Sequence, residues 1–208
     1  MILSSDLNTF EGDTQVLGST LQTASLQSAR VGVADGATLI GAARIGGRVD
    51  NGGTLHVNSA VLSVTGNYTQ ASNGRLALNV GDRLSVSVSV SGNANIAGDL
   101  QVLGRRDYVL DNAIYIVMQA TDGRQRRFDS LSSGPAVTFL SATLTYDSDS
   151  AYSSLRRMDI TAVAATLGAV GPAINGFGNT RRAIVSIKWM RSNSRGLFGI
   201  TAAAPLGR

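Results

Sequence analysis

The chain has 208 residues, 24 of them glycine, with no cysteine, an aromatic content of 5% and a formal net charge of +4. The absence of cysteine excludes disulfide bonds, thiolate zinc sites and a cysteine nucleophile. The scarcity of aromatic side chains argues against a compact enzyme core. It is typical of a solenoid, whose thin interior is filled by stacked aliphatic side chains.

The charge is unevenly distributed along the chain. Residues 1–159 carry 12 basic and 14 acidic side chains, a balance of −2, whereas residues 160–208 carry 6 basic and no acidic ones, a balance of +6. A basic segment can bind nucleic acid. Since no RNA-binding motif accompanies these few charges, we predict no nucleic acid among the partners.

The N-terminal segment, residues 1–30, is rich in Ser, Thr and Gln with scattered Leu and Val. It is predicted to be an irregular or partly paired first coil, or a linker. The first six residues lack the basic and apolar regions of a signal peptide, so any export signal is expected outside this chain. No stretch reaches the ~18 apolar residues that a membrane helix needs.

Glycines recur regularly in the segment 31–103. Gly36, Gly53, Gly74 and Gly98 each come two or three residues before a leucine in a short apolar stretch, at intervals of 17, 21 and 24 residues. These intervals match one turn of a parallel β-helix, in which three short strands and their corners complete a rung. Glycine at a corner permits a positive φ.

Alternation within these stretches predicts which side chains face inward. Period-2 alternation places Leu76, Leu78 and Val80 in the interior and Arg75, Ala77 and Asn79 in water. The alternative is an antiparallel β-sandwich, which also has alternating strands. Its best hairpin signals, at residues 51–53 and 73–74, recur at the spacing of the turns, which favours the β-helix.

The segment 104–165 has longer strands and most of the aromatic residues. A solenoid needs a capping unit because its last turn would otherwise leave an apolar face and open edges. We therefore predict an all-β fold: a right-handed parallel β-helix, or solenoid, over 31–103 with a C-terminal β-cap over 104–165. The aromatic residues of the cap are Tyr108, Tyr115, Phe128, Phe139, Tyr146 and Tyr152.

An ordered series of glycine, aliphatic, aromatic and acidic positions runs through the middle of the chain: Gly66, Tyr68, Gln70, Gly74, Leu76, Asp82, Leu84, Val86, Gly92, Ala94, Ile96, Gly98, Leu100, Val102, Tyr115, Val117, Ala120, Phe128 and Asp129. The series resembles the C-terminal passenger region of type V autotransporters of Gram-negative bacteria, over about residues 31–165. In that family a β-helical stalk ends in a cap called the autochaperone or junction region.

The resemblance implies a secreted or cell-surface protein at the outer membrane, part of an adhesin or another virulence factor. This segment would be its stalk and folding nucleus, non-catalytic in itself and without a cofactor. The expected partners are the rest of the passenger and a translocator barrel, with a host surface or lipopolysaccharide as further candidates. The nucleus would consist of Leu76, Leu78, Leu84, Val86, Ile96, Leu100, Val102, Val117 and Phe128, braced by Tyr68 and Tyr115.

The chain departs from the family after residue 165. Relatives would continue into a helix and a translocator barrel, whereas residues 166–208 are glycine-rich and basic and are too few for a barrel. We expect a poorly ordered basic tail, and a fragment or a shifted reading frame as its origin. A second hypothesis is the stalk of a secreted subtilisin-like serine protease, or of a polysaccharide-acting β-helix protein, whose catalytic part lies outside this chain.

Candidate catalytic residues are few. His56 is the only histidine and is predicted to lie at an outward strand position, without the Gly-x-Ser-x-Gly motif of a serine hydrolase. One histidine and no cysteine leave no ordinary zinc site. Four acids could act as acid–base groups but are predicted in turns, where Asp bonds to nearby backbone: Asp99, Asp107, Asp111 and Asp122. We predict no catalytic, cofactor-binding or metal-binding residue.

Two further motifs have structural explanations. Residues 92–98 resemble a phosphate loop but lack the Lys-Ser/Thr that follows one, so they are predicted to be corners of the solenoid. A basic cluster near the cap would be a solvated loop or a contact for lipopolysaccharide or the acidic mouth of a barrel. It consists of Arg105, Arg106, Arg124, Arg126 and Arg127.

Overall fold

The computed structural model describes residues 1–3, 8–58, 61–80, 86–104, 113–134 and 140–157. These residues form β-strands and turns, with no helix among them. The chain divides into two units, Met1–Met158 and Asp159–Arg208. The described residues all belong to the first unit, and the predicted basic tail lies outside them.

The strands form three sheets, which we call A, B and C. Sheet A contains β1 (Ile2–Leu3), β3 (Thr20–Thr23), β6 (Thr38–Ile40), β9 (Thr54–Val57), β12 (Arg75–Val80), β15 (Asp99–Gly104) and β18 (Ser130–Ser133). Sheet B contains β2 (Thr14–Val16), β5 (Arg30–Val33), β8 (Arg48–Asn51), β11 (Tyr68–Gln70), β14 (Ala94–Asn95) and β17 (Arg124–Gln125). Sheet C contains β4 (Ser25–Leu26), β7 (Arg44–Ile45), β10 (Leu62–Val64), β13 (Val86–Val90), β16 (Ala113–Ala120), β19 (Leu140–Tyr146) and β20 (Ser150–Arg157).

The chain visits the sheets in rotation. From β2 to β18 the order is B, A, C, repeated, and from β5 onward each of these strands pairs in parallel with the strand one turn earlier in its own sheet. The alternative, an antiparallel β-sandwich, is therefore excluded for this segment, because every strand pair described between Gly36 and Val102 is parallel. The fold is all-β, with stacked parallel sheets as predicted.

Inward-facing leucines form a continuous column in sheet A. Register pairs one leucine with the next from β3 to β18, and the first five members of the column are buried while the last is half-buried. The members are Leu21, Leu39, Leu55, Leu76, Leu100 and Leu131. Since burial of a leucine side chain contributes about 1.5–3 kcal/mol, this column is a main source of cohesion between turns.

The predicted alternation in β12 is correct at most of the positions that the structure describes. Leu76 and Leu78 are buried and Arg75 is exposed. Ala77 was predicted to face water, but it is only 2% exposed. It is paired with His56 on one side and Gln101 on the other, and these longer side chains flank its methyl group.

The recurring glycines lie at the corner between sheets B and A: Gly53, Gly74 and Gly98 come directly before strands of sheet A, and Gly36 comes two residues before β6. Only Gly36 and Gly98 have a positive φ, at 74° and 68°. Gly53 and Gly74 are needed for close approach instead, because a Cβ would overlap the carbonyl oxygen of Ala34 or of Asn51. The glycine spacing thus matches the spacing of the sheet A strands. A positive φ accounts for the glycine at two of the four positions, and close approach of the backbone accounts for it at the other two.

The parallel stacking is longer at both ends than the segment 31–103. In the N-terminal segment, expected to be irregular or partly paired, β1 to β4 already pair in parallel with later strands. At the other end β17 and β18 continue sheets B and A as far as Ser133. Strands of two or three residues between polar corners are too short to show a period, so periodicity alone does not predict these turns.

Sheet C ends differently from the other two sheets. There, β16 pairs in parallel with β13 but antiparallel with β20, which in turn pairs antiparallel with β19. The register shifts between Ile116 and Met118, as at a β-bulge. The hairpin of β19 and β20 thus covers the edge of the last parallel strand of sheet C.

Within the described ranges, no helix has the length and hydropathy needed to cross a membrane.

Candidate functional site

Three polar side chains are buried together beside the B–A corner, and we call them the corner junction: Asn51, Tyr68 and Gln70. Asn51 ends β8 and Gln70 ends β11, and the two are paired in register, continuing the inward column of Val16 and Val33. Their exposures are 1% for Asn51, 0% for Tyr68 and 2% for Gln70. Burial of polar groups is tolerated only with hydrogen-bond partners.

Gln70 connects the backbone of successive turns. Its Nε2 donates to the carbonyl oxygen of Ala97 at 2.7 Å and lies 3.2 Å from those of Gly74 and Asp99. Its Oε1 accepts from the hydroxyl of Tyr68 at 2.7 Å. The carbonyl oxygen of Gly74 also accepts the N–H of Asp99. Ala97 lies in the corner between β14 and β15, where the amide of Gln70 supplies its carbonyl oxygen with a hydrogen-bond donor.

Asn51 and Tyr68 complete the junction. Asn51 Nδ2 donates to the carbonyl oxygen of Arg75 at 3.0 Å and lies 3.3 Å from Gln70 Oε1. Among the described residues Asn51 Oδ1 has no hydrogen-bond partner. Burial raises the pKa of Tyr68, opposed by the hydrogen bond from Asn51. The junction is therefore a neutral network that fixes the register of three turns.

A second network lies outside the same corner, in the column of sheet A that contains Arg75, Asp99 and Ser130. Asp99 accepts hydrogen bonds from Arg75 Nε at 3.0 Å, Ser130 Oγ at 2.8 Å and Ser132 Oγ at 2.7 Å. The carboxylate of Asp129 accepts from the backbone N–H of Gly98 at 2.6 Å. These acids are already engaged in holding neighbouring turns together.

The stacked corners leave a shallow groove of about 390 Å³, lined by Asp35, Gly36, Gly53, Thr54, Ser72, Asn73, Gly74, Arg75, Gly98, Asp99, Asp129 and Ser130. Its lining combines four corner glycines with polar and charged residues. Since the carboxylates of Asp99 and Asp129 are bonded within the fold, the groove presents no unengaged acid pair at these positions.

The turn between β19 and β20 forms a polar group of its own. Asp147 Oδ1 accepts from the backbone N–H of Ser150 at 2.6 Å and of Asp149 at 3.1 Å, and Oδ2 accepts from the hydroxyl of Tyr152 at 2.7 Å. The hydrogen bond from Tyr152 is the largest of the effects that lower the pKa of Asp147 to about 2. The turn is thus held by an ionised carboxylate.

The predicted folding nucleus coincides closely with the buried core. The side chains of Leu76, Leu78, Ile96, Leu100, Val102, Val117 and Phe128 are all buried, as are the bracing Tyr68 and Tyr115. Val86, the first residue of β13, is only half-buried. Leu84 lies outside the described residues.

The candidate catalytic residues are not brought together. His56 faces outward and is half-buried, with Nε2 3.4 Å from Asn79 Oδ1. Asp122 lies in a turn as predicted, whereas Asp99 begins strand β15, so the turn predicted there is wrong. Asp107 and Asp111 lie outside the described residues. Nowhere in the described part of the chain do three or more potential metal ligands come together.

The basic cluster is partly tied to the cap. The guanidinium carbon of Arg124 lies 4.8 Å from the ring centre of Tyr146, and that of Arg127 lies 5.3 Å from it. Arg124 also donates to the carbonyl oxygens of Arg126 and Asp147. Cation–π contacts of this kind join β17 and the corner after it to the end of β19. Arg105 and Arg106 lie outside the described residues.

Sequence reasoning missed the role of Asn51. The segment 51–53 was weighed as a hairpin signal, but its first residue is the inward-facing end of β8. The signal was available, because Val49 and Asn51 are two positions apart and the same alternation makes both inward.

Comparison with models of known protein families finds no match, and a search of curated proteins also finds none.

Proposed function

We propose that this chain is the structural stalk and folding nucleus, or autochaperone segment, of an autotransporter passenger, non-catalytic in itself. The single observation that supports it best is the continuous stacking of parallel strands, closed on sheet C by the antiparallel hairpin of β19 and β20. A stack of this kind can elongate by templating each turn on its neighbour. A capped end that is stable first would direct that growth.

In this proposal the finer fold is a right-handed parallel β-helix with a C-terminal cap. Three sheets visited in rotation are the arrangement of such a helix. Right-handedness follows from the general preference of parallel crossover connections, which are right-handed in ≈ 98% of cases. The buried junction at residues 51–70 supports a nucleus near β11 to β15, because it joins turns through side chains as well as through backbone.

The proposed location is the outer membrane, the cell surface or the medium of a Gram-negative bacterium. The proposed partners are the rest of the passenger, a translocator barrel, and a host surface or lipopolysaccharide. The subtilisin-like or polysaccharide-acting parent protein remains the alternative. Translation of the flanking DNA distinguishes them, since protease motifs upstream would favour the alternative and further solenoid turns would favour an adhesin.

The folding role is tested on the full chain by hydrogen exchange in two variants of the same leucine column. Leu100→Asp places a charge in the proposed nucleus, and Leu21→Asp places it at the far end. A buried unpaired charge disrupts the turn that contains it. We expect L100D to lose amide protection from β3 to β18, and L21D to keep it in β12 to β16.

The opposite pattern would overturn the proposal. If L100D retains protected strands from β3 to β9, the N-terminal turns do not depend on the capped end. If L21D abolishes protection in β12 to β16, the nucleus lies at the N-terminal end. Peptidase or polysaccharide-cleaving activity in the pure chain would contradict only the non-catalytic part.

A further inference from the structure

Two Asn-Gly pairs lie in successive turns of the stack and have opposite environments. Asn51 precedes Gly52 at the end of β8, and Asn73 precedes Gly74 in the corner one turn later. A third pair, at residues 175–176, lies outside the described residues. Asparagine followed by glycine is the sequence most open to attack of the backbone on the side-chain amide, because glycine has no Cβ to hinder its nitrogen.

The burial and hydrogen bonds of Asn51 protect it from this reaction. The residue is 1% exposed, and its amide nitrogen donates to the carbonyl oxygen of Arg75 at 3.0 Å. The nitrogen of Gly52 is also engaged, donating to the carbonyl oxygen of Val33 at 2.8 Å. Reaction at Asn51 therefore requires at least local unfolding of the corner junction.

Asn73 lies in an exposed turn at the rim of the corner groove. Its side-chain amide lies near Gly52 of the previous turn. A Cβ added to Gly52 would be 3.8 Å from Nδ2 and 3.9 Å from Oδ1 of Asn73. The attacking nitrogen belongs to Gly74, which is buried, and its N–H donates a hydrogen bond to the carbonyl oxygen of Ala71 at 2.9 Å within the same turn. The three preceding residues of this turn are exposed, and opening a single turn of this kind costs far less than opening the core.

We propose that Asn73 is a site of spontaneous modification, converted through a succinimide to aspartate and isoaspartate while Asn51 is protected by the fold. The Gly74 nitrogen gives its proton to solvent base and forms a bond to Cγ of Asn73. The bond from Cγ to Nδ2 breaks, and ammonia leaves with a proton from water. Water then opens the ring at Cγ, which gives aspartate, or at the main-chain carbonyl, which gives isoaspartate.

The isoaspartate product changes the corner itself. It inserts one additional carbon into the backbone immediately before Gly74, whose carbonyl oxygen accepts the N–H of Asp99 at 2.9 Å. The neighbouring glycines leave no spare room, since a Cβ on Gly98 would overlap the oxygen of Gly74. The modification thus acts on the contact between two turns, whereas the aspartate product changes only an exposed side chain.

The test is ageing of the folded full chain in mildly alkaline buffer, followed by peptide mapping and by labelling with an isoaspartyl methyltransferase. We expect conversion at Asn73 to exceed that at Asn51 by at least about tenfold, the difference made by a local opening free energy of ~1.4 kcal/mol. In urea, with the chain unfolded, the two sites should convert at similar rates.

Two variants test the reacting residue and distinguish the effects of the aspartate and isoaspartate products. Asn73→Gln should remove the conversion, because its longer side chain closes a larger and less favourable ring. Asn73→Asp should unfold at the same denaturant concentration as the fresh protein, whereas the isoaspartate fraction should unfold earlier. Equal rates at Asn51 and Asn73 in the folded chain would overturn the proposal. So would an unreactive Asn73 in folded protein whose unfolded chain converts both sites.

Discussion

The side-chain nitrogen of Gln70 donates a hydrogen bond to the backbone carbonyl oxygen of Ala97, 2.7 Å away and 27 residues later in the chain. The bond joins the end of β11 to the corner that leads into β15. Because Gln70 also accepts from Tyr68, one side chain connects the buried network to the backbone of the following turn. We therefore expect the register between these two turns to depend on Gln70.

The first prediction concerns this glutamine. Gln70→Leu should lower the free energy of unfolding by about 3 kcal/mol, because it leaves the buried carbonyl oxygen of Ala97 without its side-chain donor and the buried hydroxyl of Tyr68 without its acceptor. Thr69→Val, on the exposed face of the same strand, is the matched control and should change it by less than about 0.5 kcal/mol. Urea unfolding measures both. Equal effects of the two substitutions would show that the junction is not stabilising.

The second prediction concerns Tyr68 at alkaline pH. Burial raises its pKa in the folded chain, so the stabilisation is present below the unfolded value of about 10 and is lost as the pH rises above it. Tyr68→Phe should reduce this alkaline loss while costing about 1–2 kcal/mol at neutral pH. Unfolding followed from neutral to alkaline pH checks it. An unchanged alkaline limb in Y68F would contradict the assignment.

The third prediction concerns the corner glycines. Gly98→Ala should cost more than about 3 kcal/mol, because it combines a left-handed φ of 68° with overlap of its Cβ and the oxygen of Gly74. Gly36→Ala has a similar φ of 74° but no atom within 4 Å, so only the conformational cost of about 1–2 kcal/mol remains.

A further control completes this series. Gly18→Ala meets nothing within 4 Å and has no positive φ, so its effect should stay within about 1 kcal/mol of zero. Thermal or urea unfolding ranks the three variants. A ranking in which G36A is as damaging as G98A would mean that φ, and not the close approach between turns, makes the glycine necessary.

The fourth prediction concerns acid and the cap. Because the pKa of Asp147 is lowered to about 2, its stabilising contribution is present above the unfolded value of about 3.9 and is lost as the pH falls toward 2. Amide exchange in the turn between β19 and β20, expressed relative to the intrinsic rate of an unfolded chain at the same pH, should therefore increase over that window. In Tyr152→Phe, which removes the largest cause of the shift, the increase should begin at a higher pH. Identical pH profiles in the two proteins would contradict this.

The all-β character and the turn length could be predicted from the sequence alone. Both depend on local patterns: period-2 alternation determines which side chains of β12 face inward, and the glycine interval gives the length of one turn. The burial of Leu76, Leu100 and Tyr115 follows from the same alternation. Local rules of this kind suffice where each turn repeats its neighbour.

Contacts between turns required the tertiary structure. The carbonyl oxygens that accept from Gln70 Nε2 belong to residues 4 to 29 positions later in the chain, and no sequence period specifies which carbonyl a side chain will meet. The same is true of Asp99, which looked like a turn residue but begins a strand bonded to Arg75 and Ser130. The turns upstream of Val31 were also hidden, because strands as short as β4 contain too few residues to show alternation.

The sequence by itself determined the kind of strand, the spacing of the corners and most of the buried aliphatic side chains, since these depend on residues close together in the chain. Only the tertiary structure decided that Asn51, Tyr68 and Gln70 form one buried network and that β20 turns antiparallel to close sheet C. Those features depend on the register between turns. Register is a property of packing and hydrogen bonding across many residues, and it exists only once the turns are stacked.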